Sequence, residues 1–117
     1  MSITDKSDAE IIDIAQPMID DVVNASNQRD WEAFSQYQTE EEANDPDNKK
    51  NVETLWKEHK LFTSLSLDRE ILAVLRNDDV AQVIWKQSST EVFGDYLGRY
   101  FIKEINQDIK EVGFLIH

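Results

Sequence analysis

Apolar positions recur every three to four residues in the first half of the chain and every two in the second. Ile11, Ile12, Ala15, Met18, Ile19, Val22 and Val23 follow helical spacing behind "SDAE", where Ser7 and Glu10 have the separation of a capping box. The pattern predicts a helix over about 8–27, kinked or split at Pro17, which lacks an N–H. "RDWEAFSQYQ" predicts a short second helix capped by Asp30, with Trp31, Phe34 and Tyr37 on one side. "TEEEAND" reads as a polar connection with room for a short strand. A third helix opens at Asp45-Pro46, because aspartate is a favoured N-cap and proline a favoured first helical residue. Val52, Leu55, Trp56 and His59 then form one apolar stripe.

From Leu65 the period is two. "REILAVLRNDDVAQVIWKQSS" predicts two strands joined at Asn77-Asp78-Asp79. Leu72, Val74, Ala81, Val83 and Trp85 share one face, and Ile71, Ala73, Gln82, Ile84 and Lys86 the other. "YLGRYFIKEINQDIKEVGFLIH" predicts a second hairpin with a three-residue turn at Asn106-Gln107-Asp108. That turn pairs Ile105 with Ile109, Ile102 with Val112, Tyr100 with Phe114 and Gly98 with Ile116. It leaves Leu97, Arg99, Phe101, Lys103, Glu111 and Leu115 on the outer face.

Three helices followed by about four antiparallel strands predict an α+β fold, with helices packed on one face of a curved sheet. At 117 residues, 1–117 reads as a single domain large enough for a core without disulfides.

The helix order, "RDWEAFSQYQ", the "DP" entry and the final "IKEVGFLIH" strand together resemble the NTF2-like superfamily (cystatin/NTF2-like cone), which includes SnoaL-like cyclases and ketosteroid isomerases. The resemblance spans nearly the whole chain. It implies a sheet wrapped around a long helix, a pocket between them for a small apolar ligand, and a homodimer through the outer sheet face. It also implies that Asp45, which precedes Pro46 in "YQTEEEANDP", stands where the isomerases keep their catalytic base. The isomerases' oxyanion-donating tyrosine is missing. The first helix reads Ile19, Asp20, Asp21, Val22 there, and a carboxylate opposes a developing enolate.

Each candidate residue has a functional and a structural reading. Asp45 is a catalytic carboxylate or a helix cap, and capping lowers the basicity that catalysis needs. His59 is a pocket acid/base or a packed residue at a helix end. The two do not form a dyad, since the fourteen residues separating them span about 21 Å of helix. Tyr37, Trp56, Trp85, Tyr100 and Phe114 line a ligand pocket or fill the core. Leu97, Arg99, Phe101, Lys103 and Leu115 form a dimer face or a solvated sheet surface.

Charge narrows the partners. The net charge is −12, and residues 1–47 hold 13 acids against 2 bases. An acidic half repels phosphate backbones, so nucleic acid is disfavoured. No apolar run approaches the ~20 residues of a membrane span, and the N-terminus has no secretory pattern, so a cytoplasmic protein is the simplest reading. The chain has no cysteine, two histidines and three glycines, and no metal-ligand spacing, nucleophile elbow or phosphate loop. No cofactor is called for. Two functions fit. One is a small-molecule-binding domain with isomerase, cyclase or lyase-type proton transfer. The other is a non-enzymatic homodimeric scaffold or interaction module.

Overall fold

The computed structural model describes residues 2–117. Helix α1 spans Asp8–Gln28, α2 Trp31–Phe34, α3 Glu40–Ala43 and α4 Pro46–Glu58. Strands β1 (Leu65–Asn77), β2 (Val80–Ser89), β3 (Tyr96–Ile105) and β4 (Asp108–Ile116) follow. They form an open antiparallel sheet in sequence order. The α+β architecture is therefore as expected, but the middle of "TEEEAND" is a turn of helix and carries no strand. Thr39 accepts from the Glu42 amide at 3.2 Å and starts the one-turn helix α3, a fourth helix among the described residues.

Local signals set α1. Ser7 Oγ accepts from the Glu10 amide at 3.2 Å, and Glu10 Oε1 accepts from the Ser7 amide at 3.0 Å, closing the capping box. Arg29, at φ 56°, ends the helix with its amide bonded to the Ala25 and Ser26 carbonyls. Pro17 does not split it. The ring lies on the exposed side, where the carbonyl freed four residues earlier can turn to water. Ile11, Ala15, Met18, Ile19, Val22 and Val23 form the buried face against the sheet. Asn27 fixes the far end by exchanging two hydrogen bonds with the Leu65 backbone, at 2.8 and 2.9 Å, as a strand partner would.

The stripe foreseen on α4 is narrower than its spacing suggests. Only Trp56 is buried; Leu55 is 40% exposed, and His59 is an exposed C-cap with its ring against Phe62. One indole and the half-buried Val52 dock the helix.

Two irregularities correct the strand faces. A register shift between Ile71 and Ala73 places Ile71, not Leu72, opposite Trp85, and Leu72 is 52% exposed. In the second hairpin, Asn106 and Gln107 both have positive φ (52° and 72°), which makes a two-residue turn with Ile105 opposite Asp108. The turn is one residue shorter than the sequence suggested. A bulge restores the count: Ile102 faces Glu111, Phe101 faces Gly113, and Val112 is the extra residue. Beyond it, Tyr100 meets Phe114 and Gly98 meets Ile116, as expected. Glu111, assigned above to the outer face, therefore points inward, and Val112 does not.

Candidate functional site

The inner sheet face carries an aromatic cluster. Phe34 meets Trp56 edge-on at 5.4 Å between ring centroids and Phe114 at 6.0 Å. Phe114 stacks on Trp85 at 6.3 Å and meets Tyr100 at 6.1 Å. Trp85 lies so close to Gly98 that a Cβ there would sit 2.1 Å from the indole. Both buried indoles are satisfied. Trp85 Nε1 donates to Gln87 Oε1 at 2.8 Å, and Trp56 Nε1 to Ser26 Oγ at 3.0 Å. Trp56, Trp85 and Tyr100 are thus buried in the core; of the five aromatics proposed to line a pocket, Phe114 borders the cleft beside β4, and an edge of Trp56 borders a separate polar one at the far end of α4.

That cleft lies between the α2–α4 segment and β4. It encloses about 170 Å³ and is lined by Phe34, Gln38, Glu42, Asn48, Val52, Glu111, Val112, Gly113 and Phe114. Phe34, Val52, Val112 and Phe114 are its apolar walls. Its polar groups come from three elements brought together by backbone pairing. The Glu111 amide donates to the Tyr37 carbonyl at 2.7 Å, and Gln38 bridges β4 in parallel. Asn48 on α4 then donates to Gln38 Oε1 at 3.0 Å and to the Glu42 carbonyl at 2.9 Å.

Glu111 is 4% exposed, and its Oε1 has no hydrogen-bond partner; the buried Tyr100 hydroxyl has none either. The two are close enough to influence each other electrostatically without closing a well-formed bond. Burial pushes the Glu111 carboxyl up to about 7, against smaller opposing effects from Tyr100 and Gln38. Burial first, then the Glu111 charge, keeps Tyr100 protonated far above its ordinary range. Tyr37 donates its hydroxyl to Asp21 on α1, and that bond first, then burial, pushes its pKa up to about 12. A polar chain therefore runs from Asp21 through Tyr37 toward Tyr100 and Glu111, and on through Gln38 to Asn48.

Asp45 stands outside this group. It is exposed and borders none of the described clefts, and its Oδ1 accepts from the Asp47 amide at 2.9 Å at the start of α4. His59 lies at the opposite end of the same helix. Glu111, Gln38 and Asn48 were not legible as site residues, because their convergence depends on the short turn and the bulge. The one local signal was Asn106, since asparagine is among the residues that favour left-handed conformations in tight turns; Gln107 gives no such signal. Among the described residues, no group of three or more His, Asp or Glu side chains is placed to hold a metal ion, and no helix is long and apolar enough to cross a membrane.

On the outer face, Leu97, Arg99, Phe101 and Lys103 are half-buried and Leu115 is 50% exposed. Phe101 packs against Gly113, and the Arg99 guanidinium lies 5.7 Å from the Phe101 ring centre. Arg99 Nε also donates to Gln82 Oε1. Comparison with protein-family models, with curated proteins and with solved structures finds no match.

Proposed function

We propose that this chain is an NTF2-like small-molecule-binding domain whose ligand enters the cleft between α2–α4 and β4, with Glu111 as its polar anchor. The observation that carries this reading is Glu111, a residue of the cleft lining whose carboxyl is buried and whose Oε1 has no hydrogen-bond partner. A polar group left unsatisfied in a core costs about 1–3 kcal/mol. Such a group at a cavity is where a ligand recovers that energy, and a carboxyl titrating near neutrality can also accept or deliver a proton. Any isomerase, cyclase or lyase-type step is assigned to Glu111. Asp45 we read as the cap of α4, since its carboxylate is already used there.

The test is a two-dimensional amide NMR screen of small fragments against the intact chain. Binding at this site shifts the amides of Gln38, Asn48, Glu111 and Gly113. A library that shifts none of them at millimolar concentration removes the reading.

The outer sheet face supports a second reading, a homodimeric scaffold. Leu75 and Leu115, about half exposed, lie in the same surface as Phe101 and Leu97. The face also carries Lys86, Arg99, Lys103 and Lys110, with Lys103 directly opposite Lys110, which opposes stacking two copies through that end. Pairing through the Leu97–Leu115 end avoids it.

A further inference from the structure

We infer that the cleft selects a small primary ammonium compound with an apolar body about the size of one six-membered ring. The inference rests on the reading above and names its ligand class. Charge comes first. The lining residues include two carboxylates, Glu42 and Glu111, and no basic side chain. The whole chain, at −12, reinforces that sign. The N-terminus of α4 provides no opposing anion site, because Pro46 has no N–H and the Asp47 amide is held by Asp45.

Hydrogen-bonding capacity points the same way. The Asn48 amide donates to Gln38 and to the Glu42 carbonyl, and the Gln38 side chain is turned toward Glu111. The cleft's side-chain donors are engaged, whereas Glu111 Oε1 accepts nothing. A complementary ligand must therefore bring donors, and an ammonium brings three together with the compensating charge. A neutral alcohol brings one donor and no charge. A carboxylate ligand brings neither.

Size and shape define the rest of the molecule. The volume of about 170 Å³ is close to the roughly 150 Å³ apolar cavity that holds benzene. Phe34, Val52, Val112 and Phe114 provide apolar walls, and the two phenyl rings can face a cation. Gly113 leaves its part of the wall without a side chain. Around Glu111 the titratable groups are Tyr100 on β3, Glu42 on α3 and, beyond Tyr100, Tyr37 with Asp21 of α1; none of them is a cation.

The experiment titrates benzylamine, benzyl alcohol and benzoate separately into the full chain, following the cleft amides by NMR. The expected result is binding of benzylamine about tenfold tighter than benzyl alcohol, with benzoate weakest, since a charge-assisted bond exceeds a neutral one by about that factor. Glu111→Gln reduces benzylamine to about the affinity of the alcohol, and the alcohol loses much less than the amine. A second measurement needs no variant: benzylamine affinity falls about tenfold between pH 7.5 and 5.5 as Glu111 takes up its proton, while alcohol affinity stays flat. If the alcohol or benzoate binds as tightly as the amine, or the amine's affinity is indifferent to pH, the ammonium preference is wrong and the cleft still binds small molecules. If none of the three shifts the cleft amides, both this inference and the binding reading fail.

Discussion

Glu111 stands directly opposite Ile102 on the inner face of the last hairpin, a carboxyl paired with a fully buried aliphatic side chain. Nothing in that pairing solvates the charge. The folded-state pKa, about 7, lies above the ordinary 4.5, so the folded chain holds this proton more tightly than the unfolded one. The group's stabilising contribution is therefore complete below about pH 4.5 and is lost as pH rises to about 7. The shift is worth on the order of 3 kcal/mol. Glu111→Gln removes this dependence. Urea unfolding should show the variant more stable than the parent at pH 8, by on the order of 1–3 kcal/mol, with the gap closing at pH 4.5. A difference that does not change with pH would mean that Glu111 ionises freely.

Gly98 is fixed by Trp85. A methyl group 2.1 Å from the indole has to displace the ring or the strand. The neighbouring Phe114 and the Trp85–Gln87 hydrogen bond leave little room for the ring to move. Gly98→Ala is expected to lower stability by about 1–3 kcal/mol or more, read by thermal unfolding followed through tryptophan fluorescence. A melting temperature equal to the parent's would show that this layer is loosely packed.

Asp45 separates capping from chemistry cleanly. Asp45→Ala should cost about 1 kcal/mol, and Asp45→Asn much less, because asparagine also caps well. Benzylamine affinity should be unchanged in the asparagine variant. Loss of affinity or of a detected activity in that variant, at full stability, would return Asp45 to the functional site.

How far the sequence could be read depended on how local each signal was. The start of α1, its buried face and the Asp45-Pro46 entry to α4 are specified within a turn or two of helix, and all three were legible. The inward turn of Glu111 was not. It depends on a two-residue choice at Asn106-Gln107 and on an extra residue at Val112, and a reader of the alternation alone puts Val112 in the core. Leu72 was misplaced for the same reason. The apolar stripe on α4 misled differently: periodicity shows which residues share a side, and only packing shows how much of that side is covered.

The sheet face has its own test. Sedimentation at high micromolar concentration should find a dimer if Leu97, Leu115 and their neighbours are an interface. Leu115→Lys should then convert it to a monomer and leave benzylamine binding intact. A monomeric parent would assign that face to solvent.

The Val112 bulge ties the polarity of the cleft floor to the far end of the hairpin. The turn at Asn106-Gln107 holds two residues, and the strand takes up the spare one at Val112, so a carboxyl rather than an isopropyl group lies on the inner face. A three-residue turn with no bulge would put Val112 there and leave Glu42 as the carboxylate of the lining. The tip thus sets the polarity of the cleft floor without touching it.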